Sequence, residues 1–481
     1  MASTHFQKLD EESRALAERW DQIVRVTGIV ALVSAVVWGA CAGLRAAVHW
    51  ASERVLGAAE HGGWAGSTML LAALLGASLV RAWLYRDERW RPAAGDGLQV
   101  ALENYQITYV HPGDDPTPRY ERPAFSMAIR KMATTLLTLG SGASGGLEAP
   151  SVLVSESIAA GVARVLRIRS EHELRTYQLA GITAAVSTLL GAPFTAALFA
   201  AEVAYGDRII YRKLAYGLWA GVVASWLDTW LEGSFEPLFE SPPHAPVYSV
   251  SEYVGAAIVA VAVSGPLALG FGRAILELGK LVERSRHPWL TSSAVTLAGV
   301  VALGLHAALG IAPHHVLGMG EQTIEGILSG DPELASLEIV VVVLLAKTLT
   351  TGLTITTGGS AGVLIPSMVL GGLAGTLTAQ LLTAAGVAGL DPALFTVVGI
   401  ASALVAVVGV PLAAIALVFE VFGRAYGPPA ILACGLTYLV TLKFKVYQAQ
   451  RVDESLARAN EAPVDAPLPI VTDGSVDDRA P

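Results

Sequence analysis

The chain has 481 residues, 53% hydrophobic and 15% charged, with a formal net charge of −9. Soluble domains carry about 25% charged residues, so this composition excludes an ordinary soluble enzyme and fits a membrane protein. The negative balance argues against nucleic acid as a partner. The two cysteines, Cys41 and Cys434, lie in apolar stretches and leave no disulfide framework or thiolate metal site.

Met1–Arg19 is polar with a helical pattern and leads into a full-length apolar stretch, with no cleavable signal visible. Within it, 9–22 reads as an interfacial amphipathic helix, so 1–25 is expected to be a cytoplasmic N-terminal segment. Crossing a bilayer takes about 20 apolar residues. Such stretches recur at 26–50, 64–84, 175–203, 214–231, 253–280, 289–311, 338–354, 361–386 and 393–423, with a shorter one at 428–442. Basic clusters at Arg81–Arg91, Arg164–Arg175, Arg208–Lys213, Arg273–Arg286 and Lys443–Arg451 place their loops in the cytoplasm. The acidic stretch 232–252 lacks Lys and Arg and is expected outside. The expected division is a first transmembrane repeat at 26–231, an extracellular linker at 232–252 and a second repeat at 253–456. A disordered tail follows at 457–481, too short for a regulatory domain. Both termini are expected in the cytoplasm and the protein in the plasma (inner) membrane.

Two blocks recur in register. Lys131-Met-Ala-Thr-Thr returns as Lys347-Thr-Leu-Thr-Thr, and each copy is followed by glycines and, 19 residues after its lysine, by Pro150 or Pro366. Gly191-Ala-Pro193, ending in Glu202-Val203, returns as Gly409-Val-Pro411, ending in Glu420-Val421. The offsets are 216 and 218, so order and spacing are kept. Repeated halves with Gly- and Pro-interrupted segments mark a transporter fold whose site lies at the repeat interface. The fold class is therefore an all-α polytopic membrane protein with inverted repeats and broken helices.

Proline favours the first turn of a helix, and the glycines ahead of it let unbonded N–H groups approach a ligand. Two such starts meeting within the membrane form a cage for an anion. Lys131 and Lys347, at membrane depth, either raise the positive potential there or bond helix-end carbonyls. Glu148 breaks the symmetry, because its counterpart is Leu364. A carboxylate at a helix N-terminus occupies an anion's place and leaves when protonated or displaced. It is a gate and a proton acceptor in one side chain.

These residues resemble the CLC family of chloride channels and proton-coupled chloride exchangers, from about Val26 to Leu456. Gly146-Leu-Glu148-Ala-Pro150 resembles the family's G-K/R-E-G-P motif, which implies the gating role of Glu148 and anion-binding amides across Gly146, Leu147 and Ala149. Gly362-Val-Leu-Ile-Pro366 resembles G-x-F-x-P, implying anion-binding amides at Val363 and Leu364. Tyr447 resembles the tyrosine that closes the inner side of the site. Gly95-Asp96-Gly97 stands where the family has G-S-G, so Asp96 replaces a serine donor. Val203 stands where coupled exchangers carry an inner proton-transfer glutamate, which leans the reading toward channel-like or weakly coupled chloride conduction. A proton/chloride antiporter with another inner proton path, or selectivity for fluoride or nitrate, remain the alternatives. The resemblance implies a homodimer with one pore per subunit. No metal motif or nucleotide-binding loop is present, so no cofactor is expected. An intramembrane serine protease built on Gly142-x-Ser144 is the remote rival.

Overall fold

A computed structural model of the chain describes residues 2–107, 124–168, 170–206, 209–233, 237–240, 242, 248–266, 270–283 and 288–442. Among them the regular structure is helical, as expected for this class. The first half comprises α1 (Ala2–His61), α2 (Gly63–Leu84), α3 (Leu98–Ile107), α4 (Ala124–Leu139), α5 (Glu148–Val165), α6 (Glu171–Leu190), α7 (Pro193–Tyr205) and α8 (Tyr211–Glu232). The second comprises α9 (Val250–Pro266), α10 (Gly272–Glu283), α11 (Pro288–Ser293), α12 (Thr296–Leu309), α13 (Pro313–Val316), α14 (Glu321–Ser329), α15 (Leu337–Thr356), α16 (Leu364–Ala384), α17 (Pro392–Val408), α18 (Pro411–Leu417) and α19 (Gly427–Thr441).

Two apolar stretches of the sequence are each broken into a pair of helices. The run 175–203 divides at Gly191, whose φ of +59° ends α6 in a left-handed cap before Pro193 starts α7. The run 393–423 divides the same way at Gly409, φ +79°, before Pro411. With 13 and 7 residues, α7 and α18 are too short to cross a bilayer alone. Among the described residues, five helices are long and apolar enough to do so. By contrast, the expected interfacial helix is not a separate element. α1 continues through it into the first span, because neither Gly nor Pro occurs before Gly28.

α16 and α17 cross in close contact. A Cβ placed on Gly371 would lie 2.3 Å from the Gly399 carbonyl oxygen, and one on Gly399 would lie 2.1 Å from that of Gly371. Small residues let backbones touch where lipid supplies no hydrophobic drive between helices.

Candidate functional site

The two glycine-rich loops meet at the centre of the molecule. Gly146 and Gly362 form an isolated antiparallel bridge, with N–H donation in both directions at 2.8 and 2.7 Å. Around it the hydroxyl contacts are reciprocal. Ser144 Oγ lies 2.8 Å from Thr351 Oγ1, and Thr135 Oγ1 lies 2.8 Å from Ser360 Oγ. Each pair joins a residue of one half to the counterpart of its partner's sequence block. The repeat in the sequence is thus a local two-fold axis in the fold.

α5 and α16 both start at this axis, and no side chain caps either start. Their first-turn N–H groups have no acceptor within their own helices. The amide of Gly146 is committed to Gly362, while Leu147, Ala149, Val363 and Leu364 stand at the two uncapped helix starts. Gly362 must be glycine for the starts to approach so closely, since a Cβ there would lie 2.9 Å from Ala149 Cβ.

Glu148 fills the gap between them. It is buried, with its carboxylate beside the backbone amides of Leu147, Glu148 and Ile365. Oε2 completes no hydrogen bond of good geometry. The carboxylate therefore lies among helix-start amides from both halves, a setting that favours negative charge.

Lys131 and Lys347, both buried, hold the loops in register. Lys131 Nζ donates to the Ala93 and Gly95 carbonyls at 3.2 and 2.7 Å, and Lys347 Nζ to those of Leu317 and Gly318 at 2.9 and 3.0 Å. Gly97 (φ +90°) and Gly320 (φ +99°) close the two loops; a Cβ on Gly97 would lie 2.8 Å from Lys131 Cε, and one on Gly320 2.7 Å from Val369 Cγ2 and 3.2 Å from Lys347 Nζ. Asp96, half-buried, faces Lys131 electrostatically, so its charge has a compensating cation at hand.

Glu202 and Glu420 cross-cap the short helices. Glu202 accepts from the amides of Leu412 and Ala413 at 2.9 and 2.7 Å, at the start of α18. Glu420 accepts from those of Phe194 and Thr195 at 3.0 and 2.8 Å, at the start of α7. Val203 is buried in the core beside them.

A cavity of about 540 Å³ opens between α1 and the α13–α14 region, lined by His49, Glu53, Glu60, His314, Glu321 and Glu325 among others. His49 Nε2 lies 3.5 Å from Glu321 and His314 Nδ1 3.1 Å from Glu60. Its floor is the Gly318–Gly320 loop that Lys347 fastens. Sequence reading missed this vestibule, because its residues come from segments some 260 positions apart. It missed Glu156 as well, a carboxylate hidden inside an apolar helix. Tyr447 lies outside the described residues. Ser144 bonds Thr351 and His306 Nδ1 contacts the Ile311 carbonyl, so the serine is spent on the two-fold contact and does not reach that histidine.

The sequence profile of the family described as "Voltage gated chloride channel" matches residues 77–442. The chain is 28% identical over 320 residues to a chloride/fluoride channel protein of Pseudomonas syringae pv. tomato, covering 65% of this chain and 66% of that protein. It is 25% identical over 408 residues to the H(+)/Cl(-) exchange transporter ClcA of Citrobacter koseri, covering 82% and 81%. Its fold matches the crystal structure of a CLC-type fluoride/proton antiporter with a TM-score of 0.72, at 18% identity, over 90% of this chain and 99% of that one. It matches that of a slow cyanobacterial Cl-/H+ antiporter with a TM-score of 0.69, at 18% identity, over 90% and 98%. With its paired helix starts and internal two-fold, the chain belongs to the voltage gated chloride channel family.

Proposed function

We propose that the chain carries chloride, or the smaller halide fluoride, across the bilayer down its gradient, with Glu148 as the gate. The observation that carries this reading is the buried Glu148 carboxylate, lodged between two uncapped helix starts with one oxygen unpartnered. Helix starts stabilise a bound carboxylate and a bound halide by the same amides and dipoles. Protonation of Glu148, or its displacement by an anion, then frees the place for transport. Leu147, Ala149, Val363 and Leu364 supply amides, Lys131 and Lys347 support the loops, Asp96 and Gly97 shape the inner approach, and Tyr447 closes it.

Glu148→Ala is expected to speed chloride efflux from proteoliposomes and to flatten its dependence on external pH. Unchanged efflux with full pH dependence would sink the gate. Repeating the assay with fluoride ranks the two ions. Val203 favours conduction without tight proton coupling. The names of the similar proteins favour the second reading, exchange of halide for protons. The family resemblance supports a homodimer with one pathway per subunit, in the inner membrane with both termini cytoplasmic.

A further inference from the structure

Glu156 lies on α5 eight residues beyond Glu148, about 12 Å along the axis at 1.5 Å per residue. It is fully buried. Its carboxylate is clasped by two carboxamides from different helices. Asn104 Nδ2 of α3 donates to Oε2 at 3.0 Å, and Gln178 Nε2 of α6 donates to Oε1 at 2.8 Å. The other halves of those amides, Asn104 Oδ1 and Gln178 Oε1, are buried with no hydrogen-bond partner.

That arrangement suits a proton that comes and goes. With the carboxyl ionised, both amides donate to it, as they do here. With it protonated, rotation of one amide presents an orphan oxygen that accepts the new O–H. Both charge states then have partners on the spot, and burial otherwise penalises an ionised carboxylate heavily. A purely structural position would not need acceptors held in reserve, since orphan buried acceptors are costly.

The surroundings leave Glu156 a clear role. Next to Asn104, Tyr105 shares a hydroxyl contact with Tyr205 and accepts from Lys213 Nζ at 3.1 Å. This polar cluster includes Tyr205, two residues past Val203. Arg175 is one turn from Gln178 on α6. On the other helices packed against α5, Lys131 is committed to loop carbonyls and Arg45 to the Thr188 carbonyl, and α16 carries no ionisable side chain.

We propose that Glu156 is the inner proton-transfer carboxyl of this transporter, relaying protons between the cytoplasmic side and Glu148. The proposal rests on the Glu148 gate and on the second reading above, exchange of halide for protons, and goes beyond both by assigning proton coupling to a residue other than the one at Val203. In the step, the Glu156 O–H bond breaks and its proton passes along water to the Glu148 carboxylate, where a new O–H bond forms. Glu156, left ionised between its two amides, is reprotonated from water on the cytoplasmic side.

The test is simultaneous chloride and pH recording on proteoliposomes of the full chain under a chloride gradient. The wild-type chain is expected to move protons against chloride. Glu156→Gln should raise the chloride-to-proton ratio at least tenfold, and Glu156→Asp should recover part of the coupling. If Glu156→Gln does not fold, Gln178→Leu is expected to cut proton movement at least threefold. An unchanged ratio in these variants overturns the proposal. So does wild-type chloride flux without protons, but then the Glu148 gate stands and is judged by Glu148→Ala alone. Absence of halide flux in the wild-type chain overturns both.

Discussion

Glu148 and Leu364 occupy matching places in the two halves, and that single difference puts one carboxylate between otherwise symmetric helix starts. The difference was legible in the sequence because the repeat aligns the positions. Its meaning depended on burial and on the amides of Ile365 and Leu147, which arrive from opposite halves. Glu321 is the residue whose importance no motif announced. It starts α14, outside the five candidate spans. Burial pushes its carboxyl up to about 7, with repulsion from Glu325 adding to the effect. Glu53 acts in the same direction, Arg45 and Lys347 oppose it, and His49 touches it. Above about pH 7 the group is charged and adds to a mouth already lined by Glu53, Glu60 and Glu325; below it the group is neutral. Anion entry from this face should therefore rise as pH falls through 7. Glu321→Gln is expected to increase entry at pH 8 about two- to threefold and leave it nearly unchanged at pH 5.5, read by chloride uptake into vesicles. Equal pH profiles for the two proteins would remove Glu321 from the path.

The broken helices are the device at the scale of elements. Gly191-Ala-Pro193 and Gly409-Val-Pro411 end one helix in the left-handed region and start the next, so backbone N–H groups are released deep in the protein. A membrane tolerates such breaks only where other protein groups satisfy them. The glycine and proline spacing gave away the breaks themselves, but not that α7 and α18 are each other's partners. The α16–α17 crossing makes a second element-scale expectation. Gly399→Ala forces a methyl against the Gly371 carbonyl, 2.1 Å from the ideal Cβ position. Overpacking of this kind costs about 1–3 kcal/mol. The measurement is thermal unfolding in detergent, with Gly43→Ala as the control, since nothing lies within 4 Å of a Cβ there. Equal melting temperatures for the two variants would show that the crossing yields.

At the scale of the whole molecule, the halves are tied by contacts that come in pairs. The Gly146–Gly362 bridge, the two Ser–Thr contacts and the two carboxylate caps each run once in either direction. Glu202 holds the start of α18 and Glu420 the start of α7, so removing either charge loosens the other half's helix. Hydrogen bonds to a charged group contribute about 1.5–3 kcal/mol, and Glu420→Gln should destabilise the fold by about 2 kcal/mol in urea unfolding. Glu202→Gln should act similarly. The double variant should fall short of the sum, because α7 and α18 pack together and share one interface. Strict additivity would show the caps to be independent.

The sequence by itself determined the class, the repeat, the helix starts and the one asymmetric glutamate. Composition, Gly–Pro punctuation and register are properties read along the chain itself. Tertiary structure alone decided that Gly146 is spent on the bridge and that both lysines fasten loop carbonyls. It also decided that α1 runs unbroken, that Glu156 meets Asn104 and Gln178, and that His49 meets Glu321 in a cavity. Each of those depends on groups distant in the chain meeting at hydrogen-bond range, where burial makes an unpaired polar atom costly and so selects its partner. No spacing rule along one strand of text encodes that.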